Sequence, residues 1–308
     1  MYGGELPRTC VDVRKPSPGA ERRRPESSPE ATGSAGAFGL YGALVGWSAS
    51  RPVPPALRPA AYRAFARAVG ADLSEAELDL RAYASLGDFF VRRLRAGART
   101  IDPAADAIIS PCDGVVAALG VATDGTLIQA KGRNYQLAEL LADDDLAAEL
   151  TGGVYCTIYL SPRDYHRVHT PVAGRVTGYD YLPGALWPVN PKVAARRDRL
   201  LSRNERVVIE LDAGPLGRVA VVMVGASGVG HIDLAHLGTS TGPWRSAHAR
   251  VRTPLDAAIA RGDELGAFRL GSTVVVVFEP GAVALAGVGE ADAVRFGQRL
   301  LTSLRGPA

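Results

Sequence analysis

Hydrophobic residues follow a different pattern in each of three parts of the chain. Residues 1–34 are rich in Pro, Ser, Gly, Glu and Arg and show no hydrophobic period, which is typical of a disordered leader. Residues 35–50 are uncharged and apolar, but four glycines interrupt them, and they are shorter than the ~20 residues that cross a bilayer. Residues 1–53 therefore predict a disordered leader and an arm that either packs loosely on the core or lies on a membrane surface.

A helical period runs from residue 54 to residue 100. Its apolar positions recur every three to five residues, at Leu57, Tyr62, Phe65, Ala66 and Val69. Ser85 precedes a second apolar series that begins at Leu86, which is the pattern of a helix N-terminus. Arginines accompany both series, and a charged helix face of this kind is either solvated or in contact with lipid head groups. Residues 54–100 are expected to form a small helical region.

From residue 101 onward the pattern is that of strands. Short β-branched runs, separated by Gly, Pro and Asp, predict strands at 115–116, 154–159, 207–211, 219–224 and 273–278. Few helical patterns lie between these runs to supply crossover connections, so the sheets are expected to be largely antiparallel. The 35 glycines and 21 prolines provide the many turns that such a fold needs. The sequence thus predicts an α+β fold, in which the helical region precedes a mainly antiparallel β sandwich or barrel-like core.

A repeated turn and two short helices are also predicted in this part of the chain. Residues 111–116 and 171–176 share the form Pro-x-x-Gly-x-Val, in which a tight turn feeds a strand. Such a repeat is typical of a pseudo-symmetric sandwich or barrel. Residues 255–259 and 291–304 are predicted to be helical, with the second segment packed on a sheet edge.

Charge and cysteine content narrow the classes of function. The formal net charge is only +3, and the basic residues do not alternate with aromatic ones, so no nucleic-acid partner is expected. The three cysteines stand far apart, which fits a reducing compartment and provides neither a disulfide framework nor a zinc pattern. The N-terminus shows no secretory signal, so we expect the protein to remain inside the cell.

Candidate proton-transfer groups are concentrated between Tyr159 and Pro171. Asp164, His166 and His169 lie within six positions there, directly after an apolar run. Histidine moves protons near neutral pH, and a nearby carboxylate orients the ring, so a catalytic role is favoured over a structural one. A metal site is the alternative, but the flanking prolines oppose a regular helix and no further ligand completes a recognisable set. No metal site is therefore predicted.

The bond between Gly271 and Ser272 is the second candidate for chemistry. It stands immediately before a strongly apolar strand, where the glycine tolerates strained dihedral angles that expose its carbonyl to the adjacent hydroxyl. Asp113, His169 and Ser272 together supply an orienting carboxylate, a general base and a hydroxyl nucleophile. The Gly-x-Ser-x-Gly elbow of many hydrolases is missing around Ser272, so a serine hydrolase is the weaker interpretation.

These motifs, taken in order, resemble the phosphatidylserine decarboxylase proenzymes over residues 54–288. The matching segments include FFVRRLRAGARTID at 89–102, SPCDG at 110–114, KGRNY at 131–135, YLSPRDYHRVH at 159–169 and LGST at 270–273. The resemblance implies a decarboxylase domain over residues 54–308 with a helical part, 54–100, and a β-rich catalytic part, 101–308. It also implies a cut between Gly271 and Ser272, which leaves a long chain, a short chain and a covalent pyruvoyl group derived from Ser272.

The resemblance assigns roles to the candidate residues. Asp113 and His169 assist the attack of Ser272 on Gly271, and the pyruvoyl group then withdraws electrons as the carboxylate of phosphatidylserine leaves. His166 is the candidate for protonating the resulting carbon, and Asp164 is expected to tune or position the histidines. The implied product is phosphatidylethanolamine with CO2.

The resemblance further implies a peripheral protein at the cytoplasmic face of the membrane, and a homodimer. A basic stretch either contacts anionic lipid or forms a solvated loop: Lys192, Arg196, Arg197, Arg199 and Arg203. Three alternatives stay open. The chain is a pyruvoyl decarboxylase of a soluble amino acid or of another phosphoserine lipid, a binding module without activity, or a serine hydrolase that uses Ser272.

Overall fold

A computed structural model describes residues 49–130, 133–226, 232–241, 249–269 and 271–307. The predicted leader and nearly all of the apolar arm lie outside these residues, as does Leu270 beside the predicted cut. The helices are α1 (Arg58–Val69), α2 (Leu86–Phe90), α3 (Leu137–Leu141), α4 (Asp144–Leu150), α5 (Pro191–Ala194) and α6 (Leu200–Arg203). Within the described ranges, no helix is long and apolar enough to cross a membrane.

The strands begin at the end of the helical region and continue to the C-terminus. The first nine are β1 (Ala107–Ile109), β2 (Gly114–Val121), β3 (Thr126–Ala130), β4 (Arg133–Gln136), β5 (Val154–Leu160), β6 (Arg167–His169), β7 (Gly174–Leu182), β8 (Arg206–Asp212) and β9 (Arg218–Val224). The others are β10 (Ile232–Leu234), β11 (Thr239–Ser240), β12 (Val251–Ile259), β13 (Glu264–Phe268), β14 (Ser272–Phe278), β15 (Val283–Leu285), β16 (Ala293–Val294) and β17 (Arg299–Ser303).

The strands form four sheets, and every pair of strands is antiparallel, as predicted. The largest sheet has the order β12-β7-β8-β9-β14-β5-β2-β16. A second has the order β11-β10-β13-β6, a third β1-β17-β15, and β3 pairs with β4. Both copies of the Pro-x-x-Gly-x-Val turn enter the large sheet, because β2 begins at Gly114 and β7 at Gly174.

The large sheet buries both of its faces. Alternate residues of β14 point to opposite sides, so Val274 and Val276 belong to one core and Val275 and Val277 to the other. The first core is closed by the two smaller sheets of β6, β10, β13 and of β1, β15, β17, which makes this side a β sandwich. The second core is closed by α3 to α6. The predicted α+β class with a mainly antiparallel sandwich core is confirmed, and the helices that cover the second face were not predicted.

The predicted N-terminal helical region is present and has a small core of its own. Ser85 caps α2, since its side chain accepts from the Asp88 N–H while the Asp88 carboxylate accepts from the Ser85 N–H. The ring of Tyr62 on α1 stacks on Phe89 of α2 at 5.1 Å, and Tyr83 packs against the same ring. The capping box and this aromatic cluster hold α1 and α2 together.

Two of the predicted helices are strands, and other helices were not predicted. Residues 255–259 belong to β12, whose exposure alternates along its whole length, and residues 291–304 contain β16 and β17. The apolar positions of β12 fit a period of two, which the helical interpretation missed. In β17 the adjacent Leu300 and Leu301 are both buried, so this segment shows no clear period. The helices α3 to α6 have four to seven residues each, so they span too few turns for a helical period to be visible.

Candidate active site

Two chain segments connect the large sheet to the sheet of β6 and β13, and they run side by side; this pair of connections is called the crossover below. One runs from the end of β5 through residues 161–166 to β6, and the other runs from β13 to β14. Ser272 pairs with Leu160 at the edge of the large sheet, and the N–H of Phe268 donates to the carbonyl of His166 at 2.9 Å at the other end. The peptide bond between Gly271 and Ser272 therefore lies in the segment that runs beside residues 161–166, which include His166.

Ser272 is the first residue of β14 and is completely buried. It shares a face of the strand with Val274, which points toward β6 and β13. Its Oγ has no hydrogen-bond partner among the residues that the structure describes. A buried hydroxyl without a partner destabilises the fold, and such groups in native proteins commonly have a functional role.

Gly271 has open space beside its backbone. A Cβ built on Gly271 meets no atom of the described residues within 4 Å. The glycine thus leaves free space beside the predicted cut, and the strained dihedral angles expected there stay a prediction.

His166 is completely buried, and its two ring nitrogens have different surroundings. Nε2 lies 3.0 Å from the carbonyl oxygen of Ser161, which can only accept, so the proton is on Nε2. Nδ1 is buried without a partner among the described residues. Burial, together with the positive charge of Arg92, lowers the pKa of His166 to about 3, so the ring is neutral and Nδ1 carries a free lone pair.

Asp164 closes the turn that precedes His166. Its Oδ2 accepts from both the N–H and the hydroxyl of Ser161, each at 2.7 Å, and its own N–H donates to the Ser161 carbonyl at 2.9 Å. The same carbonyl accepts from His166. Asp164 therefore acts on His166 through Ser161, which fits a positioning role.

His169 ends β6 with both ring nitrogens engaged. Nδ1 donates to the carbonyl of Gly262 at 2.8 Å, and Nε2 accepts from the hydroxyl of Tyr165 at 3.1 Å. The ring of Phe296 stacks on the imidazole at 3.8 Å, with 16° between the planes. Burial is the main cause that lowers the pKa of His169, and the hydrogen bond to Gly262, the charge of Glu264 and, least, the charge of Asp113 act in the opposite direction. The ring is thus held neutral, with the lone pair on Nε2.

Asp113 lies in the turn before β2 and is bound by residues that the sequence did not single out. Arg99 donates to both of its oxygens, one of them at 3.0 Å from Nε, and the N–H of Phe296 donates to Oδ1 at 2.8 Å. Among the described residues no hydrogen bond joins Asp113 to His169. Phe296 connects them, since its backbone contacts Asp113 and its ring contacts His169.

A cavity of about 770 Å³ opens on the opposite face of the large sheet. Thr273, the neighbour of Ser272, lines it, and Ser161 and Pro162 form its end beside the crossover. Most of its remaining wall is apolar and comes from α1, β2, the segment before α5, and α5 and α6: Val69, Val115, Ala117, Val189, Ala194 and Leu201. The cavity is suited to a ligand with an apolar body and a polar group near Thr273.

The basic stretch around α5 and α6 is divided in its contacts. The guanidinium of Arg197 lies over the ring of Trp187 at 3.8 Å, and Arg199 donates to Glu139 at 2.9 Å. The remaining members are exposed: Lys192, Arg196 and Arg203. Only these three are displayed to solvent as separate charges.

Known proteins resemble this chain over most of its length. The family model described as phosphatidylserine decarboxylase matches residues 86–302. The proenzyme of this name from Anaeromyxobacter sp. (strain K) is 47% identical over 248 residues, which cover 79% of this chain and 85% of the relative. The Myxococcus xanthus proenzyme is 42% identical over 260 residues (83% and 91%), and that of Pseudomonas aeruginosa (strain LESB58) 43% over 244 residues (77% and 83%). On these grounds the chain belongs to the phosphatidylserine decarboxylase family.

Proposed function

We propose that this chain cuts itself between Gly271 and Ser272 and then converts phosphatidylserine to phosphatidylethanolamine and CO2 with a pyruvoyl group made from Ser272. The observation that carries the proposal is the Ser272 hydroxyl, which is fully buried, has no partner among the described residues and lies at the end of the segment that runs beside His166. Membership of the family supplies the class of reaction.

The cut begins when Ser272 Oγ attacks the carbonyl carbon of Gly271. The C–O bond forms, the peptide C–N bond breaks, and an ester replaces the amide. Loss of the α-proton of residue 272 then expels the Gly271 carboxylate, and water converts the new N-terminus to a keto group with release of ammonia. The space beside Gly271 and the unpartnered Oγ both suit a pyruvoyl group at position 272.

His169 is the candidate base for this attack. Its Nε2 carries the lone pair and is bound by the Tyr165 hydroxyl, so Ser272 must take the place of Tyr165 at this nitrogen or donate through it. The Gly262 carbonyl holds the tautomer, and the Asp113 charge favours the imidazolium that forms. Asp113 assists as a fixed charge, since its oxygens are occupied by Arg99 and Phe296.

The pyruvoyl group supplies an electron sink for the loss of CO2, a task that ordinary side chains cannot perform. The chain's part is then to protonate the carbon that has lost CO2. His166 is the candidate donor, with Nδ1 as the atom that carries the proton. The buried ring is neutral as it stands, so an anionic head group beside it is needed to raise its pKa.

The apolar cavity next to Thr273 is the proposed place for the body of the lipid substrate. The protein is proposed to work as a peripheral protein at the cytoplasmic face of the membrane, with α1 toward the lipid, because Arg63, Arg67 and Leu57 are exposed there. Neutralising both arginines to Gln is expected to reduce co-sedimentation with anionic vesicles. In a comparison variant, Lys192 and Arg196 are changed to Gln instead. If only that variant loses co-sedimentation, the lipid contact lies at α5 and not at α1. The homodimer stays a prediction.

Denaturing intact-mass analysis tests the central proposal. Wild type, Ser272→Ala and the control Ser303→Ala are compared, each with and without borohydride to reduce carbonyl groups. A cut after Gly271 with a reducible carbonyl on the short chain is expected for wild type and the control, and an intact chain for Ser272→Ala. A wild-type chain that stays uncut yet binds lipid refutes self-processing and favours a binding module. Acylation of Ser272 by an ester probe favours a hydrolase.

A further inference from the structure

Arg92, just after α2, is a buried cation without a counter-ion among the residues that the structure describes. Only 4% of the residue is exposed, and no carboxylate of the described residues lies within the 4.0 Å of an ion pair. Its Nε is buried without a partner there, and one terminal nitrogen reaches the carbonyl of Arg163 at a long 3.4 Å. The internal stretches outside the described residues contain no Asp or Glu: 131–132, 227–231, 242–248 and 270.

The surroundings of Arg92 do not neutralise it. Its guanidinium lies over the ring of Phe89 at 5.0 Å. The two carboxylates whose charge acts on its pKa, those of Asp113 and Glu75, are both bound by Arg99. Desolvation lowers the pKa of Arg92, but a guanidinium stays charged under ordinary conditions. A buried charge of this kind destabilises the folded protein unless an anion binds to it.

Arg92 also lies beside the proposed decarboxylation site. Phe90, two residues before it, packs on the His166 ring at 4.9 Å, and the Nε–H of Arg167 donates to the Val91 carbonyl at 2.9 Å. The Arg163 carbonyl that accepts from Arg92 belongs to the turn whose Ser161 carbonyl accepts from His166. The segment after α2 therefore packs against residues 161–166, and it places the Arg92 guanidinium beside the turn that binds His166.

We propose that Arg92 binds the phosphate of the substrate's head group and so places the head group beside His166. The proposal rests on the proposed function, which supplies a substrate with a phosphodiester, a carboxylate and an amine. A planar guanidinium with an unused Nε–H offers two parallel donors to phosphate oxygens. Filling this site also supplies the anion that His166 needs for protonation.

The carboxylate is the other anion of the head group, and the chemistry disfavours it as the partner of Arg92. Decarboxylation removes negative charge from the carboxylate, so a cation bound there stabilises the substrate more than the transition state. The phosphate keeps its charge throughout the reaction. A cation on the phosphate therefore contributes to binding without slowing the loss of CO2.

The test compares Arg92→Gln with Arg93→Gln, the same change at the next position, where the side chain is 61% exposed and 3.4 Å from Glu264. With a soluble short-chain phosphatidylserine, Arg92→Gln is expected to raise KM about tenfold or more and to leave self-cleavage intact, because a charge-assisted hydrogen bond is lost. Arg93→Gln is expected to match wild type. If Arg92→Gln stays uncut, Arg92→Lys, which keeps the charge and loses the fork, is measured in its place.

Two inhibitors identify the anion that is bound. Glycerophosphoethanolamine has the phosphate without the carboxylate, and serine has the carboxylate without the phosphate. Weaker inhibition of the Arg92 variant by glycerophosphoethanolamine, with serine unchanged, supports the proposal. The reverse result, or an unchanged KM, overturns it. Wild type is first shown to be cut and to carry a carbonyl, so that failure of the proposed function is recognised separately.

Discussion

Replacing Arg99 by Met is expected to lower the free energy of unfolding much more than replacing Arg295 by Met. Both arginines pair with Glu75, but only Arg99 is buried. Arg99 has a side chain only 8% exposed and binds Glu75 at 2.7 Å and Asp113 through two nitrogens. Arg295 lies 3.6 Å from the same Glu75 oxygen but is 70% exposed. Arg99→Met leaves the buried Asp113 without an ion pair and leaves Glu75 with only the exposed Arg295, which destabilises the fold by about 3–5 kcal/mol. Arg295→Met removes an exposed pair worth at most about 1 kcal/mol.

The free energy of unfolding is measured by urea denaturation at pH 7, with every variant in the uncut Ser272→Ala background so that one chain unfolds in each case. Glu75→Gln, alone and combined with Arg99→Met, completes a double-mutant cycle that isolates the pair. A difference below about 1 kcal/mol between Arg99→Met and Arg295→Met refutes the importance of burial here.

The difference in unfolding free energy between wild type and Arg99→Met is expected to decrease in acid. The hydrogen bond from Arg99 is the first cause that lowers the pKa of Glu75 below its ordinary 4.5. A carboxylate whose pKa is lower in the folded state stabilises the protein above the pKa of the unfolded state. That part of the difference between wild type and Arg99→Met is therefore complete above pH 4.5 and is lost as the pH falls through the lower, folded value. A difference that grows in acid contradicts the assignment.

Three further predictions concern the two reactions. Phe296→Leu removes the ring stacked on His169 and is expected to slow self-cleavage up to about tenfold, whereas Phe296→Tyr does not; equal rates in a mass-spectrometric time course refute the positioning role. His166→Gln is expected to be cut normally but to lose about 100-fold or more in kcat, and full turnover excludes it as the proton donor. The rate of self-cleavage is expected to be constant above pH 6.5 and to fall with a midpoint below it, since burial lowers the pKa of the base His169; a midpoint above 6.5 contradicts this assignment.

The sequence predicted the strands of this fold better than its helices. Runs such as Thr273–Phe278 are apolar on both faces because β14 lies between two cores, and this makes them visible without a structure. The helices α3 to α6 are short and depend on the large sheet for their stability, so their sequences carry little helical signal. Asp143, which caps α4 through the Leu146 N–H, was the available local signal.

The side chains of the candidate site were named from the sequence, but their hydrogen-bond partners were not predicted. The histidine motif follows β5, and β5 pairs with β14 from Ser272 onward, so both candidate segments adjoin the same end of these two strands. Direct contact of the histidines with Ser272 stays a prediction. The partner that orients His169 is the backbone carbonyl of Gly262, and Asp113 is bound by the backbone of Phe296. Contacts with backbone groups of distant turns cannot be predicted from residue types. The sequence therefore suggested Asp113 as the orienting carboxylate, whereas in the structure the Gly262 carbonyl orients His169.

The central position of β14 in the large sheet determines how the cut protein unfolds. The strand is paired on both sides, with β9 and β5, and the segments that follow it pair with β1 and β2, so the short chain is interwoven with the long one. Once the peptide bond is cut, nothing covalent guides the two pieces back together after unfolding. We expect the enzyme to be kinetically stable and to denature irreversibly, so that lost activity is restored only by synthesis of a new precursor.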